Sequence, residues 1–461
     1  MSADRLAQTR FSRRAALAAL ASLTAGAGLA LAPRVRARGR LPVGGKLAFR
    51  MPWPIDRVDP HRLDNIAAAV LGDALFDALY TLDATGAIVP ALAESDPEVA
   101  GADVIVRIRS DLQTAHGRPI DSRDVIGSLA RAHSSGAAAW LAEVPSPVRI
   151  DTLAIRFPDA AKDVAKIARA LASPVTAIVP LAFAPDRPDG TGPFKADRRG
   201  DALVLTRNPR AARGPALLEE ITVRAADLAG SLRSFETGAD DLGWLGSGLH
   251  EPRAGSRPFD CGAIGWAILR AGREAGTWDG LGVPQRVADG IAPSRLSYLV
   301  VGPAWPTERE EGWAGAPTEL LVVEDSPWLV ELARAVAATV SRPGHELTVR
   351  ALPQAELAPR LRARTFALAI DVARPLAPGA LGAMVGLATA DRADAAADLV
   401  KHPPRLGEVP ARTLTRTMRV GVLGEIRLQG GRVADIALPP VPGGGWDLGL
   451  ATRAPALPRK P

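Results

Sequence analysis

The chain is poor in several residue types, and each shortage closes a class of function. Cys261 is the only cysteine among 461 residues, so no internal disulfide can form. Flanked by Asp260 and Gly262 without a nucleophile signature, it reads as a small buried apolar residue. The six histidines, at 61, 116, 133, 250, 345 and 402, include no pair at i, i+3 or i+4 and no accompanying carboxylate cluster, so no metal site is expected. Gly246-Ser247-Gly248 lacks the Lys-Ser/Thr of a phosphate loop, and no G-x-S-x-G elbow occurs. The acidic pairs Glu219-Glu220, Asp240-Asp241 and Glu310-Glu311 fit solvated turns better than acid/base dyads. The expectation is a protein that is not an enzyme and carries no cofactor.

Lysine is scarce as well, at 46, 162, 166, 195, 401 and 460 only, while Gly reaches 44 and Pro 40; this is compositional bias. The formal charge of +6 looks basic until its location is read. Residues 1–37 hold six Arg and one Asp, so without them the net charge is +1 and a nucleic-acid surface loses its main support.

Those residues read as an export signal. Arg5, Arg10, Arg13 and Arg14 precede an uncharged run from Ala15 to Ala32, followed by a small-residue cleavage site at Val35-Arg36-Ala37. Ser12-Arg13-Arg14-Ala15-Ala16-Leu17 resembles the twin-arginine motif, and Ser22, Thr24, Gly26 and Gly28 keep the run mildly hydrophobic. The alternative is an uncleaved anchor, for which the glycines make a poor spanning helix. No cysteine follows the cleavage site to carry a lipid, so a soluble, periplasmic, monomeric protein that is not a lipoprotein is expected. The 424 residues left after position 37 exceed what one core usually organises, and two lobes are expected.

Strands and helices alternate along the rest of the chain, an α/β pattern. Val104, Val106 and Ile108, then Leu153, Ile155 and Phe157, mark half-buried strands. Between them Asp121 caps a helix whose Val125, Ile126, Leu129 and Ala130 share a face, with Asp124 near its N-terminal amides. Later, Leu320–Val323 reads as a strand, Ser326 as a cap, Pro327 as a helix start with Leu329, Leu332, Val336 and Val340 buried, and Leu347, Val349 and Ala351 as the returning strand of a βαβ unit. Phe366–Val372 is expected to join that sheet. Arg419–Leu423 and Val433–Leu438, separated by Gly430-Gly431, read as a closing hairpin.

Four segments in order carry a family resemblance. They are Asp59-Pro60-His61 with Leu75–Tyr80 and Gly86–Ser95; His116–Ile120 with Asp124-Val125; Gly190-Thr191-Gly192-Pro193-Phe194 with Leu205–Pro209; and Glu220–Arg224 through Ser234–Leu242. Together they resemble the family 5 extracellular solute-binding proteins, the oligopeptide- and dipeptide-binding proteins of ABC importers. Gly190, Gly192 and Pro193 read as fold-defining, glycine supplying torsions other residues avoid and proline restricting φ. The chain departs beyond Gly246, where Ala263–Leu269 lacks the family's Asn, and the second lobe is short.

The resemblance implies a two-lobed periplasmic-binding-protein fold of the class II type, with mixed sheets and an inter-lobe cleft. Lobe one is expected over 38–245, lobe two over 246–411, and a return to lobe one with a tail over 412–461. It implies a peptide or similar small organic ligand and an inner-membrane ABC permease as partners, with no nucleic acid. Trp53, Trp244 and Trp266 fall at strand ends in regions facing the cleft in that family, where an indole can cover an apolar side chain or peptide plane; core packing is the competing reading. Asp371 and Arg374 follow the second-lobe strand, and a peptide zwitterion needs one carboxylate and one guanidinium. Closure by a hinge near 245 and 411 would bury the solute.

Two other functions remain open: a degenerate binding fold acting as sensor or scaffold without transport, and an exported hydrolase. The leader itself is testable: intact mass of the exported protein should correspond to a chain beginning at Arg38, and Arg13→Lys with Arg14→Lys should block export. Unchanged secretion of that variant would point to the general route.

Overall fold

The computed structural model describes residues 43–244, 253–292, 295–296, 301–302, 313, 315–404, 411–441 and 443–454. The expected leader at 1–37, the crossing at 245 and the stretch 405–410 leading to the crossing at 411 lie outside them. No helix among the described residues is long and apolar enough to cross a membrane.

Strand β1 (Lys46–Met51) turns Leu47, Phe49 and Met51 inward. Helix α1 (Ile66–Leu75) follows, capped by Asn65, whose Oδ1 accepts from the Ala68 amide at 2.7 Å. A small antiparallel sheet comes next, built in the order Glu98–Ala100, Asp103–Arg107, Ala154–Phe157, Val148–Asp151. Val104, Val106, Ile155 and Phe157 are fully buried under it. Helix α2 (Ser122–Ala132) packs there through the expected capping box, the Asp121 side chain bonding the first-turn backbone and Asp124 returning to the Asp121 amide. Its buried face is Val125, Ser128, Leu129 and Ala132, with Ala130 exposed, contrary to expectation. At about 100° per residue, Ala130 lies some 140° around the helix from Val125.

Among the described residues the main sheet has 11 strands and runs from one half of the chain into the other. Its members are β1, then β2 (Phe194–Arg199), β3 (Ala202–Arg207), β4 (Glu220–Ala225), β5 (Leu242–Trp244), β6 (Ser256–Ala271), β7 (Thr318–Val323), β8 (Leu347–Leu352), β9 (Leu368–Ala373) and β10 (Val420–Val433), in the order β8-β7-β9-β6-β10-β5-β1-β4-β3-β2, while Val301–Gly302 also pairs with β10. Helix α3 (Pro327–Val340) makes the βαβ crossover between the parallel β7 and β8, burying Leu329, Leu332, Val336 and Val340 as read from sequence. Ser326 stands at its N-cap position, but its side chain makes no capping bond. Helix α4 (Gln354–Ala363) returns the chain to β9, which lies parallel to β7. One hydrophobic core contains Phe49, Leu71 and Trp446 together with Leu320, Val336 and Ile370.

The expected closing hairpin does not form. β10 runs straight through Gly430 and Gly431, pairing with β6 on one side and with β5 at 430–432 on the other. Neither glycine has a positive φ. A Cβ at Gly430 would come within 1.9 Å of the Gly243 carbonyl, so glycine is there for close strand approach rather than for a turn. The same correction applies to Gly190 and Gly192. Neither adopts a left-handed torsion, and a Cβ on either would strike the Leu75 backbone, at 2.3 and 2.5 Å.

The loop after β1 is fastened by an internal network. Arg131 of α2 donates to Asp59 at 2.8 Å and to His61 Nδ1 at 2.6 Å, and His61 Nε2 therefore carries the proton it donates to the Ala177 carbonyl at 2.8 Å. Burial works against the Asp59 carboxylate, yet Arg131 and the His61 amide hold it below the ordinary carboxylate range. Burial pushes fully covered His61 down to about 4. An unfolded histidine takes its proton near 6.5, so between that value and about 4 the unfolded chain holds more protons and folding weakens as pH falls. Urea unfolding of His61→Gln should show a shallower loss of stability from pH 6.5 to 4.5 than the parent, by about 2 kcal/mol. An unchanged slope would remove His61 as its source.

Candidate functional site

A cleft of about 130 Å³ opens between the loop after β1 and the C-terminal ends of β7 and β9. Strand-end placement of this kind is where open α/β sheets bind ligands. From the first half come Trp53, Asp56, Arg57, Asp59, Arg62 and Asp64. From the second come Asp325 and Ser326 at the start of α3, Trp328 within it, Gln354 of α4, and Asp371 of β9. The two indoles meet edge-on, with centroids 6.4 Å apart at 84°. Gln354 Nε2 reaches Asp64 across the cleft at 3.4 Å.

The charges in the walls are largely paired within the protein. Arg62 grips Asp64 with two parallel bonds, one of 2.8 Å from Nε, and this contact raises the guanidinium further above its usual value. Asp371 accepts from Arg270 of β6 at 2.8 Å, while burial pushes its carboxyl upward against that pairing. Both ends of the Asp371–Arg270 pair are mostly covered, at 19% and 12% side-chain exposure, so losing either would strand a charge at a cost of about 3 kcal/mol.

Of the residues singled out from sequence, Trp53 and Asp371 share this cleft. Arg374 does not join them. It is 4% exposed, and its Nη1 crosses to the first half, donating to the Arg62 carbonyl at 3.2 Å and the Asn65 carbonyl at 3.0 Å. Burial draws this guanidinium down to about 10, against the carboxylates of Asp64, Asp59 and Asp73. Arg374 thus lines a second cavity, on the other side of these contacts. Trp266 stands opposite Ala373 in β9 and Glu425 in β10, packed against a core of Ile268, Leu376 and Val422. Trp244 faces Gly430 in the ladder; its side chain lies outside the described residues. Cys261 is buried, and burial pushes its thiol up to about 11. Trp328 was not read from sequence as a cleft residue. Its signal is an aromatic in the first turn of a Pro-started helix, which the Leu/Val periodicity of that helix does not mark as a cleft wall.

The backbone places the chain in a defined class: it has the two-lobed fold of the periplasmic binding proteins, mixed α/β with a large mixed sheet. Among solved structures it resembles AgaA from A. tumefaciens R10, a periplasmic binding protein in complex with agropinic acid, at 14% identity and a TM-score of 0.66 over 90% of this chain and 99% of that one. It resembles the oligopeptide-binding protein AppA of Bacillus subtilis, in complex with a nonapeptide, at 13% identity and a TM-score of 0.64 over 90% and 100%. DppA from Helicobacter pylori, an ABC transporter-associated binding protein in complex with the peptide STSA, gives 14% identity and a TM-score of 0.65 over 90% and 99%. No protein-family model matches the chain, and no curated protein matches it by sequence.

The Arg374 contacts make a stability prediction. Arg374→Ala removes two charge-assisted bonds to partly buried carbonyls and should cost on the order of 2 kcal/mol in urea unfolding. A variant as stable as the parent would mean that water replaces the guanidinium at no cost.

Proposed function

We propose that this chain is an exported periplasmic solute-binding protein that encloses a peptide or similar small polar organic solute between its lobes and delivers it, as a monomer, to an inner-membrane ABC permease. It performs no chemistry on the ligand. The observation that carries this reading is the composite cleft: Trp53 and Arg62 from the first half face Trp328, Gln354 and Asp371 from the second, so one ligand there touches both halves. A hinge near 245 and 411 would let the walls part. The cleft volume of about 130 Å³ is close to the roughly 150 Å³ that accommodates a benzene-sized guest, which favours a compact solute, or one anchoring side chain of a longer one.

One feature supports the second reading, a binding fold retained as sensor or scaffold. Asp371 is already paired with Arg270, and Arg374 with two carbonyls, so the charges suited to a zwitterion's ends are engaged inside the protein. A transported peptide has to exchange with those partners.

Native mass spectrometry of protein purified without denaturation should detect a co-purifying solute as added mass. Titration calorimetry with a peptide library, joined to small-angle scattering, should show binding with compaction, and Asp371→Asn should weaken it more than Trp53→Phe. Binding without compaction would refute the hinge. No trapped ligand and no peptide binding would favour the sensor or scaffold.

A further inference from the structure

The second cavity, about 190 Å³, lies behind α1, with Gly72 and Asp73 of that helix on one wall and Gly443, Gly444, Gly445 and Trp446 on another. Phe76, Ile264 and several prolines make much of the remainder apolar. Its charged side chains are not equivalent. Asp77 is satisfied by Arg213 at 2.5 Å and Thr191 at 2.7 Å. Arg374 is held by its two carbonyls, and Asp447 accepts from the Leu450 amide at 3.2 Å. Asp73 makes no hydrogen bond or ion pair among the described residues, although burial pushes its carboxyl up to about 6. Asp73 is thus the carboxylate on this wall that no side chain or amide among the described residues bonds, in contrast to Asp77.

Gly72 gives an independent indication. It sits inside α1, where glycine costs about 1 kcal/mol relative to alanine. Its φ is not positive, and a Cβ there would meet nothing within 4 Å. Neither torsion nor close approach requires glycine at this position, unlike Gly190 or Gly430. The missing side chain keeps open the space beside Asp73.

We propose that this cavity is a second binding site, distinct from the Trp53–Asp371 cleft, for a small organic monocation: a primary ammonium on a compact apolar body, its nitrogen on the Asp73 carboxylate. The size follows from the volume. A cavity of roughly 150 Å³ holds benzene, so about 190 Å³ holds a ring plus one or two further heavy atoms. The charge follows from the unbonded Asp73 carboxylate, which binds a monocation by a charge-assisted hydrogen bond and gains nothing from an anion.

Benzylammonium fits this description, and benzyl alcohol is its neutral isostere. Titration calorimetry of the full exported chain at pH 7.5 should give saturable one-to-one binding of benzylammonium, with benzyl alcohol at least tenfold weaker. Asp73→Asn, which removes a half-buried charge that no neighbour bonds and should fold at least as well, should weaken benzylammonium tenfold or more while leaving benzyl alcohol unchanged. Gly72→Leu, filling the cavity without touching Asp73, should abolish both. Amide chemical shifts should move at Gly72, Asp73 and Gly443–Gly445 and stay fixed at Asp325 and Trp328, which separates this site from the cleft. Absence of benzylammonium binding at millimolar concentration, equal affinity for the alcohol, or undiminished binding to either variant would overturn the proposal. None of these outcomes depends on whether the cleft binds a peptide.

Discussion

The structure depends on the pairing of two long strands, β6 and β10, which makes one sheet out of two halves. β10 begins beside the end of β6, and β6 there also carries β9 of the second half; β10 ends beside β5 of the first half, next to β1. Every functional wall is referred to this pair. β9 is hung on β6 so that Asp371 lies opposite Ile268, and β1 delivers Trp53 three connections further along. The pair is not regular. β6 shifts register at three places between Asp260 and Ile268, and Gly262 takes a φ of +83° within the first shift. Bulges bend and twist a strand locally, and here they let one strand serve two differently oriented halves.

Close approach is the cost of that arrangement, and glycine meets it. A Cβ at Gly430 would collide with the Gly243 carbonyl, one at Gly265 with the Ala373 carbonyl, and one at Gly421 with the Pro284 carbonyl. This explains why local patterns were read well from sequence while long-range glycines were misread. The capping box at Asp121 and Asp124, the Pro327 helix start and the βαβ unit are short-range features, with cause and effect within a few residues. A Gly-Gly pair between two apolar runs carries the same local signal whether it turns the chain or admits a neighbour. The neighbour of Gly430 is nearly 190 residues away in sequence, so nothing adjacent to it distinguishes the two.

The cleft was legible to the same extent. Trp53 and Asp371 line it, and both stand at strand ends, which the resemblance sets toward a cleft for Trp53. Arg374, one residue past the end of β9, is where alternation stops constraining direction, and its guanidinium turns to the carbonyls around the start of α1. Trp328 was hidden by its helix, since a first-turn aromatic satisfies both a core pattern and a cleft wall. What could not be read was which charges would find partners inside the protein. Asp371 meets Arg270 only because β6 and β9 pair in that register.

Arg374 has the largest consequence of these. Its bonds to the Arg62 and Asn65 carbonyls fall on the boundary between two cavities, with Arg62 and Asn65 lining one and Arg374 itself lining the other. The two differ in chemistry. In the cleft the carboxylates of Asp64 and Asp371 are neutralised by Arg62 and Arg270, and two indoles supply apolar area; behind α1 a single carboxylate is left over beside a glycine-lined space. Helix α1 is common to both, with Asn65 and Ile66 on one side and Gly72 and Asp73 on the other. The Arg374 bonds cross from one half to the other, as the Gln354–Asp64 contact does on the cleft side, so movement of one wall against the other acts on both. The guanidinium is therefore the partition between the two spaces and one of the polar contacts that join the two walls.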